Sequence, residues 1–206
     1  MAQAVRHEPT GAARPPRRLS REARREQLVA AAMPVVAEQG FAGFSLEDVA
    51  ERADVTRNLL YHYFPRGRAD LALAVAERAG HELTDDWLTD EAIPLQERVA
   101  GNNARLVEHA LQPTDAWMIN RRARSATSPE IREVFERFIG LVVSNMSLNH
   151  LGTKEPPPLA RIALSGYVAF VETVLDDVRT GTVPPEGIVR LLNETLAAAL
   201  GAAAAG

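Results

Sequence analysis

Apolar side chains recur at helical spacing along nearly the whole chain, and proline or glycine cuts each run before it becomes one long rod. Leu46, Val49, Ala50 and Ala53 stand at i, i+3, i+4 and i+7, a single stripe on a short helix. Ile188, Leu191, Leu192, Thr195, Leu196 and Ala199 keep the same period near the C-terminus. Hardly any stretch alternates as a half-buried strand does. This pattern predicts an all-α fold.

Local signals divide the chain. Residues 1–19, with Pro9, Gly11, Pro15 and Pro16, read as a flexible basic arm. Ser20 caps a helix over 21–39 that stops at Gly40; its inner face is Leu28, Ala32, Val35 and Gln39, and Pro34 predicts a kink. Ser45 and Asp48 have the spacing of a capping box. Asp54-Val55 is a tight connection to a second short helix, capped by Thr56, running to Tyr63 and ended by Phe64-Pro65. A longer helix opens near Arg68 with Leu71, Val75, Ala79 and Leu83 on one side. Further helices are expected over 95–110, 115–124, from Ser128-Pro129-Glu130, over 159–179 and after Pro184-Pro185, with residues 197–206 fraying.

Composition excludes several classes. With 46% apolar and 24% charged residues, the 206-residue chain can bury a real core and is not disordered. It has no cysteine, so disulfides, thiolate zinc sites and a Cys nucleophile are excluded. No apolar run approaches the roughly 20 residues of a bilayer span, and the N-terminus lacks the apolar core of a signal peptide. These features lead to the expectation of a cytoplasmic protein without a membrane partner. The five histidines show no metal-ligand spacing, no Ser/His/Asp set is recognisable, and no glycine-rich phosphate loop occurs, so no cofactor is expected. The net charge of −4 hides an asymmetry. Residues 1–25 carry +5, residues 1–80 carry +2, and residues 81–206 carry −6. A basic front on an acidic body suits approach to phosphates by one end.

Two short helices joined by a tight turn and flanked by longer ones have the geometry of a helix-turn-helix. Gly40-Phe41, Ser45-Leu46-Glu47-Asp48-Val49-Ala50, Ala53-Asp54-Val55-Thr56 and Leu60-Tyr61-His62-Tyr63-Phe64-Pro65 together resemble the signature of the TetR family of regulators, over about residues 21–72. The rest of the chain is similar to that family in architecture alone. The resemblance implies a basic arm (1–19), a DNA-binding domain (20–67) and a helical ligand-binding and dimerisation domain (68–206). It further implies a homodimeric repressor of a near-palindromic operator, released by a small molecule. A helical adaptor and an all-helical enzyme are the readings set against it.

The residues support the DNA-binding reading. Leu60 and Phe64, four apart, face the core with Leu46, Val49 and Val55, leaving Arg57 and Asn58 at the outer start of the recognition helix. Arg pairs with guanine and Asn with adenine in the major groove. Ser45 begins a helix whose amides suit a phosphate, and Tyr61 and Tyr63 offer hydroxyls. Against the family pattern, Asn58 and Leu59 replace a small residue and Thr, so Leu59 offers a thymine-methyl contact instead of a hydroxyl. His62-Tyr63 replaces an aromatic followed by His. Gly67 replaces a Lys, a phosphate contact for which Arg66 or Arg68 can substitute. Asp54 replaces the turn glycine, and Asp can adopt the left-handed conformation at some cost.

In the second domain, Trp87, Trp117, Met118, Phe135 and Phe138 are the bulky apolar residues that the resemblance places around a pocket for an amphipathic organic ligand. Arg121, within Arg121-Arg122-Ala123-Arg124, belongs either to a solvated face or to an anion site there. The resemblance also implies that the last two helices pair with those of a second copy. Ala163, Gly166, Ala169 and Phe170 would permit close approach there, and Leu192 and Leu196 would supply apolar area.

Overall fold

The computed structural model describes residues 19–85 and 92–204, and among these it contains nine helices and no strand. They are α1 (Arg21–Gly43), α2 (Leu46–Arg52), α3 (Arg57–Tyr63), α4 (Arg68–Asp85), α5 (Leu95–Leu111), α6 (Asp115–Arg124), α7 (Pro129–Leu151), α8 (Pro158–Arg179) and α9 (Ile188–Ala204). The basic arm (residues 1–18) and Trp87 lie outside the described residues.

Helix starts follow the capping chemistry. The Ser20 hydroxyl accepts from the Ala23 N–H at 3.1 Å, and Ser128 caps α7 ahead of Pro129. In α1 the backbone stays helical through Pro34; the residue that leaves helical geometry is Gly40, at φ 76°, ψ 169°. Gln39 is exposed, not part of the inner face. The C-terminal tail is helical to Ala204, where fraying was expected: alanine, the best helix former, carries α9 to its end.

Two apolar clusters fill the interior. The first gathers Leu28, Val36, Phe44, Val49, Leu60, Phe64, Leu71 and Val75, and runs on through Ile119 of α6 to Phe138 of α7. It therefore ties the first three helices to α4, α6 and α7 without a break at residue 67. The second joins α5, α7, α8 and α9 around Trp117, Leu164, Tyr167, Leu175 and Leu192. Met118 packs against both. Among the described residues one helix, α8, has the length and mean hydropathy (1.3) of a membrane crossing, and it packs one side on α5, α7 and α9.

Candidate nucleic-acid interface and adjoining cavity

The reading head is held by short-range chemistry. The Ser45 hydroxyl accepts from the Asp48 N–H at 3.1 Å, and the Ser45 N–H donates to Asp48 Oδ2 at 3.4 Å, so the capping box is complete. The Ser45 hydroxyl, with Gln39 second, holds the Asp48 carboxyl below its usual range. The Ser45 N–H, expected to face phosphate, is thus engaged within the box. Asp54 turns the chain at φ 51°, the left-handed conformation that Asp can adopt in place of the turn glycine. Thr56 sits at the N-cap of α3 in extended geometry, but its hydroxyl makes no capping bond, contrary to expectation. Its replacement is a 3.0 Å backbone bond from the Leu59 N–H to the Thr56 carbonyl.

Leu60 and Phe64 are buried and fix α3 on α1, with the Arg25 guanidinium over the Phe64 ring at 5.2 Å. The opposite side of α3 exposes Arg57, Asn58, Tyr61 and His62, while Leu59 and Tyr63 are half-buried. Arg57 is already engaged. It pairs with Glu47 of α2 at 2.5 Å, donates to the Tyr61 hydroxyl at 3.0 Å and lies over the Tyr61 ring. The Tyr61 bond, then the Glu47 charge, raise its pKa. His62 meets the Tyr63 ring edge-on at 5.1 Å.

The two arginines beside Gly67 have structural duties. Arg66 donates to Asp70 from both Nε (2.6 Å) and its backbone N–H (2.8 Å). Arg68 donates to the carbonyl of Ala42 at 2.9 Å, closing the end of α1. Gly67 stands where it does because φ is +61° and a Cβ would press on the Tyr61 ring. A lysine there would be strained.

Between α4, α5, α6, α7 and α8 lies a cavity of about 130 Å³. Trp117, Arg121, Phe135 and Phe138 line it, as the sequence suggested; Met118 does not, being packed between the two clusters. The lining also includes Gly80, Asn102, Asn120, Tyr167 and Glu172, none singled out from sequence, because uncharged or lone polar residues on an amphipathic helix carry no signal of their own. The arginine run of α6 is wholly engaged. Arg121 pairs with Asp176 and lies over the Trp117 ring at 4.7 Å. Arg124 pairs with Glu172 at 2.6 Å. Arg122 donates to the carbonyls of Ala37 and Glu38, both at 3.0 Å, and so joins the cavity wall to the end of α1. Burial pushes the Glu172 carboxyl up, with Arg124 and Arg121 opposing. Burial also pushes the Tyr167 phenol up to about 12, and its hydroxyl donates to Asn103 Oδ1 at 3.0 Å.

On the last two helices, Gly166 and Ala169 are exposed and Ala163 and Phe170 half-buried. Leu192 and Leu196, expected to face a second copy, are 0% and 3% exposed and fill this chain's own core. The stripe was read correctly as apolar, but α9 turns it inward onto α5 and α8 and presents Leu191 outward instead.

Comparison with known proteins agrees with this architecture. Residues 28–75 match the family model of bacterial regulatory proteins of the tetR family. The HTH-type transcriptional regulator BetI of Burkholderia thailandensis is 35% identical over 164 residues, 74% of this chain and 80% of the relative. The HTH-type transcriptional activator FasR of Mycolicibacterium smegmatis is 37% identical over 70 residues, covering 34% of this chain but 32% of that protein. A tetR-family transcriptional regulator from Streptomyces coelicolor superposes with a TM-score of 0.75 at 23% identity, over 91% of this chain and 84% of its own. The match to BetI across both halves, together with a helix-turn-helix built as the motif requires, places the chain in the TetR family of DNA-binding transcriptional regulators.

Proposed function

We propose that the chain is a homodimeric repressor whose two α3 helices read a near-palindromic operator, and that an amphipathic organic molecule filling the cavity releases it. The observation that carries this reading is the exposed Arg57-Asn58 pair on a helix whose other side is anchored by buried Leu60 and Phe64. Such a helix presents a guanine reader and an adenine reader at a fixed angle. The cavity supports the release step, since α4 runs from the reading head to Gly80, which lines the cavity against Phe138. A ligand changes DNA affinity only by as much as it prefers one arrangement of the two heads. Dimerisation is assigned to the outer faces of α8 and α9, where Leu159, Ile162 and Leu191 are exposed. We assign the chain no catalytic activity.

A gel shift on the DNA upstream of the chain's own gene tests the proposal. A retarded band that disappears with compounds quenching tryptophan fluorescence is expected. Failure to prefer that DNA over a scrambled duplex overturns the repressor reading.

A further inference from the structure

Asn120, on α6, is an amide with half of its hydrogen-bonding capacity unused. It is 9% exposed, and its Nδ2 donates to the Ala116 carbonyl at 2.9 Å, which fixes the way the amide points. No described residue donates to its Oδ1. A buried carbonyl oxygen without a donor is costly, so it calls for one from elsewhere.

Its position says where that donor comes from. Among the described residues the sealed polar side-chain atom without a partner is Arg98 Nε, so the Asn120 oxygen keeps a face on open space. The space that Asn120 lines is the cavity. Thr84 and Tyr167 line it too, but their hydroxyls already donate, to the carbonyls of Gly80 and His81 and to Asn103. Charge in the wall is matched: Arg121 pairs with Asp176 and Glu172 with Arg124, while Arg105 and His109 have partners of their own. A charged occupant would leave water for walls whose charges are already engaged. Volume limits the rest. An apolar cavity of roughly 150 Å³ accepts benzene, and this one is about 130 Å³, lined by Phe135 and Val142 of α7 and by Val168 and Val171 of α8.

We propose that the cavity takes a neutral, single-ring molecule bearing one hydroxyl, a phenol in the simplest case, whose O–H donates to Asn120 Oδ1. The Asn120 Nδ2 stays on Ala116, and the ring fills the apolar space between α7 and α8. The assignment rests on the reading of this cavity as the effector site.

Phenol, toluene, benzoate and benzylammonium share one ring and differ at the substituent, and each is titrated into the full chain by calorimetry. A wholly apolar cavity prefers toluene, because burying an unpaired hydroxyl is costly. Here phenol is expected to bind at least ~10-fold more tightly than the other three. Asn120→Ala should weaken phenol roughly tenfold and leave toluene bound. Val142→Phe, which fills the cavity, should remove both. Tightest binding by any of the other three, or a phenol preference that survives Asn120→Ala, overturns the proposal. So does phenol binding that Val142→Phe leaves untouched, which is the deciding result if Asn120→Ala does not fold. If phenol binds through Asn120 but operator affinity does not change, the site stands and the effector reading falls. If none of the four binds the unaltered chain, the proposal falls, and the gel shift still decides the effector reading.

Discussion

Arg57 does not wait freely in solvent for a base. Glu47 holds it from α2 and Tyr61 holds it from one turn along α3, so contact with guanine must displace or share both partners. Exposed pairs of this kind are weak and screened by salt, so the exchange is feasible, and under the proposed docking a carboxylate beside Arg57 opposes the approach of phosphates by like charge. Two opposite outcomes follow at neighbouring positions. Arg57→Ala and Asn58→Ala should each weaken operator binding roughly tenfold or more while leaving scrambled duplex nearly unaffected. Glu47→Gln should strengthen binding to both duplexes, scrambled DNA more, and so lower the ratio between them. Salt-titrated isotherms on the two duplexes measure this; equal losses on both for Arg57→Ala would make that residue a phosphate clamp instead of a reader.

At the scale of elements, α4 connects the reading head to the cavity, and it crosses α7 at Gly80. A Cβ on Gly80 would overlap the Phe138 ring, which is itself packed edge-on against His81 at 5.0 Å. Gly80→Ala should therefore destabilise the fold by about 1–3 kcal/mol, as overpacking does, and shift operator affinity because α4 must tilt. Gly140, also helical but with open space around it, is the control: Gly140→Ala should raise stability by up to about 1 kcal/mol. Thermal melts of the two variants, which are expected to move in opposite directions, decide whether this crossing is as tight as the geometry demands. Elements were legible in the sequence wherever local chemistry sets them: the capping box at Ser45, the left-handed Asp54 and the Leu60/Phe64 anchor each depend on residues within a few positions. What could not be read was partnership over distance. Arg122 looked like part of a solvated charge run, yet its acceptors are α1 carbonyls 84 and 85 residues earlier in the chain. The cavity-lining polar residues were missed for the same reason, since which polar groups line an interior space is a property of the assembled fold. Leu192 and Leu196 show the limit of periodicity: it identifies an apolar stripe and is silent on whether the chain's own core or a second copy covers it.

The whole molecule places its reading head at one end, the cavity in the middle and an outer surface on α8 and α9 where apolar groups remain uncovered. Ile162 is 68% exposed and Leu159 51%, both on the helix whose mean hydropathy matches a membrane crossing, and Gly166 leaves open space on the same side. Apolar area of that kind, flanked by small residues, suits a close two-fold contact between copies. The inward turn of α9 makes the test sharper, because residues on one element now belong to different duties. Ile162→Glu and Gly166→Glu each put a charge on the outer face, where a monomer tolerates it and a dimer interface does not. Both should melt cooperatively, scatter light as monomers and lose operator affinity by at least ~100-fold, since each half-site then binds without the linkage to its mate. Leu192→Glu buries the same charge inside one chain and should fail to fold, with no folded monomer to observe. If the two surface variants remain dimers with unchanged operator binding, the interface lies elsewhere and the spacing of the reading heads is set by a different face.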